Sequence, residues 1–245
     1  MAAYACFDPA RPWDSRYVEE DMNRLWHDDV LDAPATSSER RRMRELWPLF
    51  QSADYLLDLH SMQAAGPPLL LSGLSSRGRE LAHAMAYPAV VVADAGHNGG
   101  SRLIDAAVFA DPAGKGRAVL LEAGQHWAKE SAAVAHAACL RFLAAVGCVG
   151  APHLGPLLPP GPLRPQQLIK VSRAVEVEHE HEHEDEPFAF TRPVQALEVV
   201  PRAGTVIATD GPKPIRTPYD DCVLVMPRAT PKRGQMAVRL GRFVS

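Results

Sequence analysis

The chain has 245 residues, of which 47% are hydrophobic and 22% are charged, and its formal net charge is -3. This composition is typical of a soluble protein with one large domain, or with one large and one small domain. The sequence has no sustained stripe of Lys and Arg, so we expect no nucleic-acid partner. The first residues lack the basic start of a signal peptide, and no apolar run reaches the roughly 18 residues of a membrane span. We therefore expect a cytoplasmic protein without a membrane partner.

Apolar runs alternate with helical patterns through the first 150 residues. Residues 37–52 show the helical pattern, because Ser37 or Ser38 can cap a helix and apolar residues from Met43 to Phe50 recur at helical spacing. The same reasoning along the chain predicts strands over residues 3–7, 55–59, 69–71, 89–93 and 118–121, and helices over residues 37–52, 75–87 and 129–146.

Strands that are apolar throughout and alternate with helices predict an α/β fold. Its central sheet is expected to be mostly parallel or mixed, with helices on both faces. In such sheets, ligands bind beyond the carboxyl ends of the strands. His60 directly follows one predicted strand, and Glu122 directly follows another. Both residues are therefore candidates for a functional site.

The composition changes after Gly150. Residues 151–165 contain six prolines, which predicts a linker or a wrapped loop. Residues 166–245 predict a smaller β-rich C-terminal domain, so the α/β domain is expected to be residues 1–150. The short β-type runs of this second part lie at residues 169–177, 195–200, 205–208 and 222–226, with turn signals such as Asp210-Gly211 between them.

Glutamate and histidine alternate over residues 176–186. Such a charge run predicts a solvated loop between two strands. Its three imidazoles would share one face of an extended chain, so weak zinc or nickel binding is the alternative.

Two residues near strand ends are suited to hydrolytic chemistry. His60 is either a hydrogen-bonded core residue or a metal ligand, and Asp58, two residues earlier, could orient its ring. Glu122 is either half of a structural ion pair or, beside a metal-bound water, a general base and then a general acid.

An earlier segment contains residues suited to binding a carboxylate. Asn23 and Arg24 belong either to a helix start rich in capping residues or to a clamp, because a guanidinium matches a carboxylate and an amide adds a neutral donor. Arg16 can polarise a scissile carbonyl and support the oxyanion formed during attack. Three further candidates have open roles. Arg102 ends a Gly-rich segment at residues 97–102, which is interpreted as a surface loop or as a substrate contact. His126 could orient Glu122 or contact the substrate, and Tyr219 could close the pocket from the β-rich domain.

Taken together, these segments resemble the succinylglutamate desuccinylase/aspartoacylase family of the zinc-carboxypeptidase superfamily. The family pattern contains, in order, Asn-Pro-x-Ala, Arg, Asp-Leu-Asn-Arg, Asp-Leu-His and Glu-x-Gly. The resemblance covers residues 5 to 126, about half of the chain, and the order and spacing agree. The corresponding segments here are Asp8-Pro9-Ala10, Arg16, Asp21-Met22-Asn23-Arg24, Asp58-Leu59-His60 and Glu122-Ala123-Gly124.

The resemblance implies a zinc-dependent hydrolase that cleaves the amide or ester bond of a small acidic N-acyl amino acid. His60 would be one zinc ligand, and Glu122 would be the catalytic acid and base. Arg16 would polarise the substrate carbonyl and would bind the substrate together with Asn23 and Arg24. Zinc would lower the pKa of its bound water to about 7 and so supply the nucleophile.

One part of the family pattern is missing. The family's first two zinc ligands come from a His-Gly-x-Glu segment upstream of Asn-Pro-x-Ala, and no His-x-x-Glu precedes Asp8 here. Catalytic zinc normally takes three protein ligands, so His60 alone is too few. We expect either an N-terminally incomplete hydrolase domain, whose two other ligands lie before Met1, or a degenerate member. The predicted strand that begins almost at Met1 favours the first explanation.

Three functions follow from these observations. The first is the zinc-dependent hydrolase, impaired in this chain by the missing ligands. The second is a non-catalytic carboxylate-binding or interaction protein derived from the same fold. The third is a metal-handling protein that uses the run at residues 176–186.

Overall fold

The computed structural model describes residues 8, 10, 17–97, 99–150, 164–178 and 188–244. Four of the predicted features lie wholly or mostly outside these residues: the strand over residues 3–7, Arg16, the proline-rich linker and most of the Glu/His run. Within the described parts, no helix is both long enough and apolar enough to cross a membrane.

Eleven strands are described. They are β1 (Tyr55–Met62), β2 (Leu69–Leu71), β3 (Val90–Ala93), β4 (Arg117–Gln125), β5 (Gln167–Glu176), β6 (Ala189–Phe190), β7 (Glu198–Val200), β8 (Val206–Asp210), β9 (Lys213–Arg216), β10 (Cys222–Val225) and β11 (Met236–Val244). Eight of them form one mixed sheet in the order β1-β4-β2-β3-β5-β11-β10-β7, and the other three form a small sheet in the order β6-β8-β9.

Five helices accompany the strands. They are α1 (Asp28–Asp32), α2 (Ser38–Gln51), α3 (Ser76–Met85), α4 (Ala107–Ala110) and α5 (Lys129–Ala145), with short 3-10 turns at Met22–Arg24 and Leu103–Asp105. The predicted cap of α2 is confirmed, because the Ser37 hydroxyl accepts a hydrogen bond from the Arg40 backbone N–H at 3.1 Å.

Helices cover both faces of the large sheet, so the expected α/β class is confirmed. One face packs against α2, whose Met43, Trp47 and Phe50 join the buried side chains of β2 and β4. The opposite face packs against α3 and α5 through residues such as Leu81 and Ala138. The sheet is mixed because β1 pairs parallel with β4, whereas β2 pairs antiparallel with β4 and parallel with β3.

Two strand boundaries differ from the sequence prediction, and both matter for the site. β1 continues to Met62 and β4 to Gln125, so His60 and Glu122 lie inside their strands instead of directly after them. The backbone ladder between β1 and β4 continues past these polar residues, because strand pairing uses main-chain groups and does not require apolar side chains.

The C-terminal part adds to the large sheet instead of standing apart from it. β5 pairs parallel with β3, and β11 pairs antiparallel with β5. The turn predicted at Asp210-Gly211 joins β8 and β9, with Gly211 at a φ of 56°. One sheet therefore contains strands from both the first part and the last part of the chain. The division into residues 1–150, 151–165 and 166–245 stays a prediction.

Candidate active site

His60 and Glu122 are direct neighbours in the pairing of β1 with β4. Residues paired across two parallel strands point to the same face of the sheet, about 5 Å apart at the backbone. The structure therefore brings the predicted metal ligand and the predicted acid/base together. Leu69 of β2 flanks Glu122 on its other side, so the carboxyl group has an apolar neighbour within the sheet.

Asp58 contacts the imidazole of His60. The two residues are two apart in β1, and Asp58 Oδ2 lies 3.1 Å from His60 Nε2. A neutral imidazole that donates Nε2–H to a carboxylate presents its lone pair at Nδ1. The predicted orienting role of Asp58 is thus compatible with the geometry.

Burial dominates the chemistry of Glu122. Its side chain is only 7% exposed, and its Oε2 has no hydrogen-bond partner among the described residues. Burial raises the pKa of Glu122 to about 7, although the nearby His60, Arg239 and Arg102 partly oppose the increase. The carboxyl group can therefore gain and lose a proton near neutral pH, as a general base or acid requires.

A buried network of two arginines and two aspartates lies on the segment after β3 and on β11. Arg102 donates to both oxygens of Asp94, at 2.9 and 3.2 Å, and to Asp105 at 2.6 and 3.0 Å. Arg239 donates to the same Asp94 at 2.8 Å. Burial alone would raise the pKa of Asp94, but the charges of Arg102 and then Arg239 hold it below its usual range.

Burial of Arg102 corrects the interpretation of the Gly-rich segment as a surface loop. Arg102 is only 1% exposed, and the turn that follows it contacts β1 and β4. Two glycines allow this close packing. Gly96 has a φ of 82°, and a Cβ there would lie 2.7 Å from Asp105 Oδ2; Gly100 has a φ of 139°, and a Cβ there would overlap the Arg24 carbonyl oxygen.

Asn23 and Arg24 are held against this same segment. Leu25 forms a parallel bridge with Ser101, and the Trp26 N–H donates to the Ser101 carbonyl at 3.3 Å. Asn23 Oδ1 accepts from the Leu103 N–H at 3.4 Å. Asp21 caps the turn by accepting from the Asn23 N–H, so the capping interpretation of this segment also applies.

The charge of Arg24 acts on His97. Burial lowers the pKa of His97 to about 3, and the positive charges of Arg24, Arg239 and Arg102 act in the same direction. The imidazole of His97 is therefore neutral at physiological pH. The charges of Arg102 and Arg239 lower the pKa of both His97 and Glu122. The buried network therefore influences the ionisation of both side chains.

The remaining sequence candidates have other surroundings. His126 Nδ1 lies 2.7 Å from the Ser61 hydroxyl, at the end of β1. The Tyr219 hydroxyl lies 2.8 Å from the Ser172 hydroxyl, and the Arg242 guanidinium stacks 3.9 Å above its ring. Arg16 lies outside the described residues, so its catalytic and substrate-binding roles stay predictions.

Sequence reasoning missed Asp94, Asp105 and Arg239. Asp94 directly follows the apolar run of β3, the same pattern that drew attention to Glu122. Arg239 is a single cation between Val238 and Leu240, both fully buried, but β11 itself was not predicted. Only the pairing of β11 with β5 carries Arg239 to Asp94, and spacing along the chain contains no sign of that pairing.

The described residues do not fit a complete catalytic zinc site. Zinc sites of this kind take three protein ligands. Within residues 17–97, 99–150, 164–178 and 188–244, no group of three or more His, Cys, Asp or Glu side chains is arranged to hold a metal ion. His60 is present with Asp58 and Glu122 around it, but these side chains do not converge on one position.

Solved structures identify the architecture. A succinylglutamate desuccinylase from Vibrio cholerae superimposes with a TM-score of 0.63 at 22% identity, over 94% of this chain and 66% of its own. Murine aminoacylase 3 superimposes with a TM-score of 0.61 at 20% identity, and the aligned region covers 97% of this chain and 82% of the aminoacylase. The chain has the fold of these enzymes.

A third structure extends the comparison. The product-bound ectoine utilization protein of Ruegeria pomeroyi gives a TM-score of 0.59 at 15% identity, over 96% of this chain and 69% of its own. This chain spans just under two thirds of the length of the Vibrio cholerae enzyme. No protein-family model matches the sequence, and no curated protein is significantly similar to it.

Proposed function

We propose that this chain belongs to the succinylglutamate desuccinylase/aspartoacylase family and derives from hydrolases of small acidic N-acyl amino acids. The observation that carries the proposal is the pairing of His60 with a buried Glu122 in register, within a fold like that of a succinylglutamate desuccinylase and of aminoacylase 3. In this proposal Glu122 moves the proton between attacking water and leaving group. Its pKa of about 7 suits that role.

Asn23 and Arg24 would hold the carboxylate of the substrate. They lie on a turn that is tied to the segment carrying Arg102, and the side chain of Arg24 is 30% exposed. A guanidinium and an amide together offer the donors that a carboxylate needs. Arg16 is proposed to polarise the scissile carbonyl, as the family resemblance implies, and to assist in binding the substrate.

Zinc is the cofactor that the resemblance implies, and His60 would be one of its ligands. Because the described residues do not complete a zinc site, we derive no catalytic step through zinc for this polypeptide. We expect this chain to bind zinc weakly and to hydrolyse N-acyl amino acids slowly.

The test is hydrolysis of N-acetyl amino acids at saturating zinc. We expect slow turnover that Glu122→Gln and His60→Ala each lower by about 100-fold or more, because each variant removes a group that would act at the reacting atoms. His83→Ala, on an exposed position of α3, is the matched control and should leave the rate unchanged. Rapid turnover with one tightly bound zinc would contradict the proposed impairment.

A non-catalytic carboxylate-binding protein is the second candidate function. The observation that favours it is an assembled Asn23–Arg24 turn, while the residues that the structure describes supply an incomplete set of metal ligands. Binding of N-acetyl amino acids that Arg24→Gln abolishes, without hydrolysis at any zinc concentration, would establish this function. Zinc uptake that disappears only on deletion of residues 179–186 would instead indicate the metal-handling alternative.

A further inference from the structure

Glu39 is a buried carboxylate in the first turn of α2. Its side chain is only 3% exposed. Burial of a carboxylate is costly unless the group is paired or hydrogen-bonded. The structure gives the Glu39 carboxylate three hydrogen bonds, and all three come from main-chain N–H groups of a segment outside the helix. The carboxylate therefore connects α2 to that segment.

Three consecutive N–H groups donate to this carboxylate. The Val18 N–H donates to Glu39 Oε1 at 2.7 Å, and the N–H groups of Glu19 and Glu20 donate to Oε2 at 3.3 and 3.4 Å. Hydrogen bonds to an ionised acceptor are stronger than those between neutral groups. A negative charge in the first turn of a helix is also stabilised by the helix dipole. Glu39 therefore fixes residues 18–20 against the start of α2.

The same segment makes hydrogen bonds back to α2. Glu19 Oε1 accepts from the Ser38 N–H at 2.8 Å and from the Ser38 hydroxyl at 2.9 Å. The Ser38 N–H is one of the N-terminal donors that have no partner within a helix. Glu20 accepts from the Arg40 guanidinium at 2.7 and 3.1 Å. We call the contacts of residues 18–20 with the start of α2 the clasp.

The segment held by the clasp leads directly into the proposed carboxylate-binding turn. Two residues separate Glu20 from Asn23, and the first of them, Asp21, accepts from the Asn23 N–H at 3.1 Å. After the turn, Trp26 packs against α2, with its ring centre 5.2 Å from that of Phe50. The turn is thus held on α2 from both sides, by the clasp before it and by an aromatic contact after it.

We infer that Glu39 is a positioning residue, which holds the Asn23–Arg24 turn where it receives the carboxylate of the substrate. This inference rests on the proposed function, in which that turn binds the substrate. Glu39 acts through residues 18–20, because its oxygens accept from their main chain. Loss of Glu39 should therefore weaken substrate binding. It should leave proton transfer at Glu122 nearly unchanged, because Glu122 is held on β4 by strand pairing.

Calorimetric binding to the full chain tests this role. The probe is whichever of N-acetylalanine, N-acetylaspartate and N-acetylglutamate the wild-type protein binds most tightly. We expect Glu39→Ala to weaken binding by about tenfold or more, because the turn loses its charge-assisted anchor. Glu39→Gln keeps one acceptor oxygen and should weaken binding less, by about threefold. Glu45→Ala is the matched control on α2, since the Glu45 side chain is 63% exposed, and it should bind the probe like the wild type.

Hydrogen exchange and kinetics of the same proteins separate positioning from a general effect on folding. In Glu39→Ala, exchange of the N–H groups of residues 18–20 should become about tenfold faster, while exchange in β4 keeps its wild-type rate. In hydrolysis of the probe at saturating zinc, KM should rise with the loss of affinity, and kcat should stay within about threefold of the wild type.

A second variant removes the clasp from its other side. Glu19→Ala deletes the acceptor of the two Ser38 hydrogen bonds at an exposed position, so it is the safeguard if Glu39→Ala does not fold. Because the Glu39 hydrogen bonds remain in this variant, we expect a smaller loss of affinity, about threefold.

Three results would count against the inference. Wild-type affinity in Glu39→Ala, or weaker binding without faster exchange at residues 18–20, would overturn it and leave the proposed function standing. A fall in kcat as large as the rise in KM, with faster exchange throughout β4, would show that Glu39 supports the whole fold and would also overturn it. Absence of binding of all three probes by the wild-type protein would overturn the proposed carboxylate clamp, and the inference would fall with it.

Discussion

Glu122 is a carboxyl group whose place inside the sheet changes the pH at which it ionises. In the folded protein its pKa is about 7, against an ordinary value of 4.5. Between these values the folded protein keeps a proton that the unfolded chain has released. Raising the pH through this window therefore favours unfolding, so the stability of the native state falls from about pH 4.5 upwards and the loss is complete above pH 7.

Replacement of Glu122 by glutamine should remove this penalty. We expect the free energy of unfolding of Glu122→Gln, relative to that of the wild type, to rise by about 3 kcal/mol between pH 4.5 and pH 8. Urea denaturation of the metal-free proteins across that range measures the difference. The control is Glu130→Gln at an exposed position of α5, which should follow the wild type. Parallel pH profiles for wild type and Glu122→Gln would show that Glu122 is not buried as described.

At the scale of elements, the segment from Asp94 to Asp105 assembles the site. It leaves β3, crosses to contact β1 and β4, and carries His97 and Arg102. Its bridge to the segment around Arg24 requires the two backbones to approach at Gly100, where a side chain has no room. Packing thus explains Gly96 and Gly100, whereas the sequence alone favoured a surface loop.

Substitution at Gly100 tests this packing. Gly100→Ala should lower the free energy of unfolding by more than about 1 kcal/mol, because φ is 139° and the new Cβ overlaps the Arg24 carbonyl. It should also weaken the binding of N-acetyl amino acids, because it displaces Arg24. Gly99→Ala is the matched control, since a Cβ there has no heavy atom within 4 Å, and it should change stability by less than about 0.5 kcal/mol. Equal effects at the two positions would refute the close approach.

At the scale of the whole molecule, Asp94 joins the segment after β3 to the C-terminal strand β11. It accepts from Arg102 on the segment after β3 and from Arg239 on β11, 145 residues later. This buried contact adds to the backbone ladder that joins β3, β5 and β11. The site therefore depends on a strand from the C-terminal part, even though the predicted metal ligand, acid/base and carboxylate-binding residues all lie before residue 126.

Removal of Arg239 should destabilise the whole protein. Arg239→Met leaves Asp94 with one guanidinium partner, and we expect a loss of about 3 kcal/mol in the free energy of unfolding, the lower end for a broken buried pair. Arg242→Met, on the exposed part of the same strand, loses only a stacking contact with Tyr219 and should cost less than about 1 kcal/mol. Urea denaturation with a single cooperative transition measures both. If the two variants lost similar amounts of free energy of unfolding, the ion pair between Arg239 and Asp94 would not be a major source of stability.

Local patterns in the sequence determined much of this protein. Apolar runs and helical spacing predicted α2, α3, α5 and the cores of β1 to β4, because burial and helix capping depend on residues close together in the chain. The same patterns singled out His60 and Glu122, and the structure places them side by side.

Only the tertiary structure determined which charged side chains form ion pairs. Arg239 and Asp94 have no pattern that links them, and only the pairing of β11 with β5 brings their side chains together. The burial that raises the pKa of Glu122 and the ion pair of Arg102 with Asp94 are likewise properties of packed elements. Ionisation and charge balance depend on solvent exclusion and on distances through space, which the order of residues along a chain does not contain.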